Sequence, residues 1–130
     1  IIIEVASFFR VPVHLFIDTS HSYSNPNIKI TVVDSGPDSV DFAIMRLIKE
    51  NDLLITQDYG LSSLAISKGA VVLHPCGKII NINNIDTLLV NRYLNRIERK
   101  VSNHIKGPKK RTKANDEDFR KALINILTQN

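Results

Sequence analysis

The chain has 130 residues, of which 43% are apolar and 23% charged, and these fractions exclude a disordered or collagen-like protein. No apolar run approaches the roughly 18 residues that a membrane span needs, and the lone Cys76 excludes an intrachain disulfide, so we expect a cytoplasmic protein with no membrane partner. The formal net charge is +4, and much of the positive excess lies in residues 92–113, whereas the middle of the chain is rich in aspartate.

The first part of the chain contains the patterns of two helices and two strands. Apolar residues at helical spacing predict a helix over residues 1–9. Runs of β-branched and aromatic residues predict strands over 11–17 and 28–33. Ser35 is a candidate N-cap for the helix that follows, and the apolar face of this helix repeats at i, i+4, i+7 and i+8 from Val40.

The second part of the chain continues the alternation of strands and helices. Short apolar runs predict strands over 53–56 and 70–73, with a helix over 59–68 between them. A longer helix is predicted over 83–106, and Asn115-Asp116 is a candidate cap for a last helix. The long helix has an apolar side formed by Ile85, Leu88, Leu89, Tyr93, Ile97 and Val101.

This order of elements predicts an α/β fold with an open, mostly parallel sheet flanked by helices. The length is enough for one hydrophobic core and predicts a single domain over residues 1–130. Within it we expect an α/β core over 1–80 and a helical extension over 81–130 that contains a basic linker at 106–113.

Aspartates gather where ligands bind in such folds, beyond the carboxyl ends of the strands. Asp34 and Asp58 each follow a predicted strand, and Asp38 and Asp41 lie in the first turns of the helix after Asp34. Converging carboxylates repel one another unless a cation neutralises them. Oxygen ligands without clustered His or Cys favour Mg²⁺ or Mn²⁺ over Zn²⁺. The pattern therefore predicts metal-dependent phosphodiester hydrolysis.

Each of these aspartates also has a purely structural interpretation when it is taken alone. Asp34 fits a turn, and Asp38 fits one half of a capping box. Asp41 is a favourable charge near a helix amino terminus, and Asp58 fits the cap of the helix that begins near Tyr59. Caps alone do not require four aspartates at one edge of a sheet, so their joint placement favours a site.

Four strings in the chain resemble the YaiI/YqxD family, a bacterial group whose fold is placed with PIN-like domains. They are V-D-S-G-P-D-S-V-D at 33–41, L-I-T-Q-D at 54–58, K-G-A at 68–70 and H-P-C-G at 74–77. The resemblance extends from Ile1 to the last helix, and the strings occur in the family's order and separation.

The resemblance implies functional positions. PIN-like nucleases carry an acidic residue on the first strand, one early in a central helix and one after a Thr-x-Asp strand end. By resemblance Asp41 matches the helix position, Asp58 matches the Thr-x-Asp position and Asp38 is an auxiliary. We expect Asp38, Asp41 and Asp58 to be the catalytic residues and the ligands of Mg²⁺ or Mn²⁺. The expected auxiliary residues are Asp34, Ser35 and Thr56.

The family's first position has no counterpart in this chain. Members of the family begin with a strand that ends in an Asp-x-Asp-x-Cys-Pro string, and this strand is expected to be central in the sheet. We therefore expect the first central strand to belong to a segment before Ile1, since its loss would leave two unpaired strand edges inside the core.

The leading hypothesis is a nuclease-like domain, a Mg²⁺- or Mn²⁺-dependent ribonuclease, that acts on RNA or another phosphodiester. A cluster of basic residues is expected to bind nucleic acid, namely Lys106, Lys109, Lys110, Arg111 and Lys113. One alternative is a non-catalytic nucleic-acid-binding module. Another is an interaction protein whose last helix docks its Phe119 and Leu123 stripe on a partner or on a second copy, as a homodimer.

Overall fold

The structure is a computed structural model that describes residues 1–102 and 110–129. The described residues form five α-helices and five strands. Their order is α1 (Ile2–Phe8), β1 (His14–Asp18), β2 (Lys29–Val33), α2 (Ser39–Leu47), β3 (Leu53–Ile55), α3 (Tyr59–Ser67), β4 (Val71–Leu73), β5 (Ile79–Ile80), α4 (Ile85–Ser102) and α5 (Lys113–Thr128). The α/β class is confirmed, and each predicted helix and strand is present with shifted ends.

The strands form two small sheets that are mostly parallel. β1 pairs in parallel with β2, so that Asp18 lies opposite Val33. β3 pairs in parallel with β4, and β4 pairs antiparallel with β5. Among the described residues no strand pair joins β1–β2 to β3–β4–β5, so the single open sheet, with its further central strand, stays a prediction. β5 was not predicted, since two residues are too few to show a strand period.

The hydrophobic core consists of two clusters. The first joins the β3–β4–β5 sheet to α3 and the start of α4 through Leu54, Leu61, Ala65, Ala70, Val72, Ile80 and Ile85. The second joins β4 to α1 and α5 through Val5, Leu73, Phe119, Leu123, Ile126 and Leu127. By contrast β1, β2 and α2, which are described throughout, contain no buried residue.

The burial of α5 contradicts one of the interaction hypotheses. Phe119 is 3% exposed and Leu123 is 2% exposed, because both side chains pack inside the second cluster. This stripe is therefore not available to dock on a partner or on a second copy. Formation of a homodimer through some other surface stays a prediction.

Two predicted helix caps were also wrong. α2 begins at Ser39 with Asp38 as its N-cap, whereas the hydroxyl of Ser35 lies 2.8 Å from that of Thr19. The backbone of Asp38 is left-handed, with φ of 63°, and this conformation cannot continue a helix upstream. α5 begins at Lys113, and Thr112 is its N-cap in a capping box with Asn115.

The apolar side of α4 is covered only at its start. Ile85 is buried and Leu88 packs against the first cluster, but Tyr93 is 62% exposed and Ile97 is 41% exposed. α4 has 18 residues and its packing partner α3 has nine, so the second half of α4 extends past α3. The predicted end of this helix at residue 106 lies outside the described residues.

Candidate acidic site

Asp58 is held at the amino end of α3 by two local hydrogen bonds. Its backbone N–H donates to the hydroxyl oxygen of Thr56 at 3.1 Å. Its Oδ1 atom accepts a hydrogen bond from the backbone N–H of Leu61, also at 3.1 Å. The predicted capping role of Asp58 is confirmed. Thr56 fixes the turn that carries the carboxyl group from the end of β3 to the site.

Asp38 reaches the site through an unusual backbone conformation. With φ of 63° and ψ of 10°, it is a non-glycine residue in the left-handed region, which costs roughly 1–2 kcal/mol. Its carbonyl accepts the N–H of Phe42 at 2.9 Å, but its side chain makes no capping hydrogen bond. The predicted capping box at Asp38 is therefore wrong, and within the described part of the chain its carboxylate has no hydrogen-bond donor.

Asp41 lies where the segment that contains Asp38 approaches Asp58. Burial of its side chain raises the pKa of Asp41, and the nearby charges of Asp58 and Asp38 raise it further. A hydrogen bond between the Asp41 and Asp58 carboxyl groups also favours the protonated form of Asp41. The structure thus brings Asp38, Asp41 and Asp58 together from two separate stretches. Asp34 is exposed and is not among the charges that shift the pKa of Asp41.

Asp18 is a further carboxylate at the end of a strand, and it was not predicted as a site residue. It closes β1, and its Oδ1 accepts hydrogen bonds from the backbone N–H of Ser20 at 2.9 Å and from the hydroxyl of Ser20. His21 Nδ1 lies 3.1 Å from the same oxygen. Hydrogen bonds from Ser20 and His21 lower the pKa of Asp18. This carboxylate is therefore used in a local turn and does not belong to the acidic cluster.

A divalent ion requires several oxygen donors that converge on one point. Residues 1–102 and 110–129 contain no group of three or more His, Cys, Asp or Glu arranged to hold a metal ion. This excludes a preformed protein cage within those ranges. Mg²⁺ differs from zinc in this respect, because it usually binds through one or two carboxylates and completes its shell with waters and substrate phosphates. The Asp41–Asp58 pair fits that second mode.

The residues predicted to bind nucleic acid differ in their exposure and in their contacts with the rest of the fold. Lys106 and Lys109 fall outside the described residues, and Lys110 and Lys113 are exposed. Arg111 is engaged in the fold, since its guanidinium donates to Asp116 at 2.6 Å and to the carbonyl of Pro75 at 2.7 Å.

Two other arginines, Arg92 and Arg96, line a small cleft together with Asp58. Neither arginine was predicted as a site residue. Their spacing of four residues places them on one helix face, but their position beside Asp58 depends on the packing of α3 against α4. Sequence periodicity carries no signal for that contact.

Comparisons with known proteins identify relatives but no activity. The model of a family described as "Uncharacterized BCR, YaiI/YqxD family" matches residues 1–129. A UPF0178 protein of Clostridium acetobutylicum is 38% identical over 129 residues, which cover 98% of this chain and 87% of that protein. A UPF0178 protein of Bacillus cereus is 44% identical over 131 residues, covering 98% and 89%. No solved structure matches the chain. No helix among the described residues is long and apolar enough to cross a membrane.

Proposed function

Since the chain belongs to the bacterial YaiI/YqxD family, whose description names no reaction, we propose from its acidic site that it is a Mg²⁺- or Mn²⁺-dependent phosphodiester hydrolase with RNA as the favoured substrate. The observation that carries the proposal is the proximity of the Asp41 and Asp58 carboxyl groups, where burial and then the charge of Asp58 raise the pKa of Asp41. Two carboxyl groups from separate stretches repel each other at neutral pH, and a divalent cation would relieve that repulsion.

Each residue of the site has a definite part in this proposal. Asp41 and Asp58 would hold the ion between α2 and α3, and Asp38 supplies a third carboxylate that is not tied to a described partner. Thr56 keeps Asp58 in place, while Asp34 and Ser35 belong to the turn that leads to Asp38. A divalent ion bound there would supply Lewis acidity toward the phosphate and a lowered pKa for the attacking water.

The test is hydrolysis of a panel of single-stranded and structured RNAs by the full-length gene product in Mg²⁺ or Mn²⁺. We expect Asp41→Asn and Asp58→Asn each to reduce the rate by about 100-fold or more, as loss of a group that stabilises developing charge does. Asp18→Asn is the matched control, because it removes a strand-end carboxylate outside the cluster. An activity that is indifferent to Asp58→Asn would contradict the proposal.

A second candidate is a nucleic-acid-binding module without turnover. It is favoured by the lack of any group of three metal-binding side chains in residues 1–102 and 110–129. Steeply salt-dependent binding that survives EDTA, Asp41→Asn and Asp58→Asn, together with no hydrolysis of any RNA in the panel, would support this alternative.

The proposal includes a PIN-like arrangement in which one further strand lies between β1 and β3 and joins the two sheets. Its support is that β1 is only half-buried along its whole length, although parallel strands are normally covered on both faces. The test is hydrogen exchange on the full-length gene product. Strong protection of the β1 and β3 amides is expected if both strands are central, and rapid exchange in β1 would contradict the arrangement.

A further inference from the structure

A cleft between the amino end of α3 and the middle of α4 adjoins the acidic site. Its larger part has a volume of about 380 Å³ and is lined by Tyr59, Leu88, Asn91, Arg92, Asn95 and Arg96. A smaller part of about 250 Å³ shares the two arginines and adds Asp58 and Tyr93. We refer to both parts together as the α3–α4 cleft.

The two arginines of the α3–α4 cleft have no partner in the described part of the chain. No ion pair or hydrogen bond connects Arg92 or Arg96 to a described residue, although Asp58 lines the same cleft. By contrast, Arg111 and Arg120 are each paired with a carboxylate. Guanidinium groups bind phosphate oxygens through two parallel hydrogen bonds. Arg92 and Arg96 are therefore positioned for an anionic ligand that comes from outside the fold.

The other side chains of the cleft suit a nucleotide strand better than an isolated anion. Asn91 and Asn95 are exposed on the same wall as the arginines, and each amide can both donate and accept hydrogen bonds, as a ribose 2′-hydroxyl requires. Tyr93 is 62% exposed and offers a ring face on which a base can stack.

The cations of the α3–α4 cleft offset the repulsion between the acidic site and a polyanion. Asp58 lines the α3–α4 cleft, and it repels a polyanion together with Asp38 and Asp41, the other carboxylates of the acidic site. A phosphodiester can approach these carboxylates at low cost only if cations flank its path. Arg92 and Arg96 lie beside Asp58 and supply such cations.

We propose that the α3–α4 cleft binds single-stranded RNA, with Arg92 and Arg96 on backbone phosphates, Asn91 and Asn95 on 2′-hydroxyls, and Tyr93 under a base. This inference rests on the proposed function in one respect, since the bound strand leads to the Asp41–Asp58 pair. Binding itself requires neither hydrolysis nor a metal ion.

The test is fluorescence anisotropy of a short labelled single-stranded RNA with the full-length gene product in EDTA. The double variant Arg92→Gln/Arg96→Gln is expected to bind at least about tenfold more weakly, because hydrogen bonds to charged groups are lost. The slope of log K against log salt should decrease by about 1.4, or about 0.7 for each phosphate contact on a single strand. Both residues are exposed, so the variant should fold normally.

The matched control is Arg10→Gln/Lys121→Gln, which removes the same charge from exposed positions near the α1–α5 pair. It should retain nearly full affinity. At the base-stacking position, Tyr93→Leu should weaken binding by about fivefold or more, whereas Tyr93→Phe keeps the ring and should bind normally. Single-stranded DNA of the same sequence should bind more weakly than RNA, and equal affinity would overturn the role given to Asn91 and Asn95.

The outcomes separate this inference from the proposed function. Wild-type affinity in the arginine variant, or an equal loss in the control, overturns the cleft as the binding site even if RNA is hydrolysed. Binding that depends on Arg92 and Arg96, with no hydrolysis under any condition, supports the cleft and overturns the proposed function.

Discussion

The position of Asp41 beside two other carboxylates makes its charged form electrostatically unfavourable. Burial and the charges of Asp58 and Asp38 raise the pKa of this carboxyl group. Asp38 is held in the left-handed region, where a non-glycine residue is strained. Strain and repulsion of this kind cluster at functional sites. These features favour a site over a set of helix caps, even though Asp58 is also a cap.

The raised pKa of Asp41 predicts a dependence of stability on pH. The unfolded chain loses this proton at a lower pH than the folded protein does, so raising the pH from below the ordinary Asp pKa to above the raised one lowers the free energy of unfolding. Asp41→Asn removes this loss. At neutral pH we expect the variant to be more stable by on the order of 1 kcal/mol, the repulsion of two unit charges about 4 Å apart in water.

The measurement for Asp41→Asn is urea unfolding across the acidic and neutral range without divalent ions. Asp34→Asn is the control, because that carboxylate is not among the charges that shift the pKa of Asp41. A constant difference in stability between Asp41→Asn and wild type at every pH would contradict the assignment.

The two roles of Asp58 can be separated by a pair of substitutions. Asn is a good N-cap and can accept the Leu61 N–H, so Asp58→Asn should keep the stability of α3, whereas Asp58→Ala should lose about 1 kcal/mol. Both variants lack the charge and should lose activity and metal affinity alike. Urea unfolding measures the first effect and Mn²⁺ titration the second. If Asp58→Asn bound Mn²⁺ as tightly as wild type, Asp58 would be a cap alone.

Among the helices and strands, the sequence predicted an end most reliably where a helix-breaking residue such as glycine follows the element. The helix predicted over 59–68 ends before Gly69, and the structure gives Gly69 the positive φ of 85° that is typical of a glycine after a helix end. The caps at Ser35 and Asn115 failed, because several polar residues near each helix start compete for the same role and only tertiary geometry decides among them.

Only part of the candidate site could be predicted from the sequence. Strand ends locate Asp58, and helical spacing relates Asp38 to Asp41, so their meeting at one edge follows from an α/β fold. Whether α4 would carry Arg92 to that edge depends on which face of the helix packs on α3. That choice is made by long-range contacts, and the apolar side of α4 does not reveal it, since Tyr93 on that side is exposed.

The turn between β4 and β5 leads to a prediction about stability. Gly77 has φ of 95°, and a Cβ atom there would lie 2.8 Å from the backbone of Asp118 in α5. Gly77→Ala should lower the free energy of unfolding by about 2 kcal/mol or more, because left-handed strain adds to the clash with α5. Cys76→Ala, in the same turn and exposed, is the control and should be nearly neutral in urea unfolding. Equal stability of the two variants would contradict this close packing of α5.

Across the described residues, the distribution of buried side chains explains the location of the acidic site. Asp58 caps α3, which is anchored in the first core cluster through Leu61 and Ala65. Asp41 belongs to α2, in which no residue is buried. The two carboxyl groups therefore meet at the junction between a well-packed part and a less packed part of the described chain. A ligand that binds both would stabilise that junction as well as neutralise the charge.

The most direct test of this account is a carboxyl ¹³C NMR titration of Asp41, with and without Mg²⁺. We predict that the pKa of Asp41 lies above its usual range in the absence of the ion, because of burial and the charges of Asp58 and Asp38, and that Mg²⁺ lowers it. Asp58→Asn should bring it down in the absence of Mg²⁺. An Asp41 carboxyl group that titrates at its usual pKa and does not respond to either change would contradict the account.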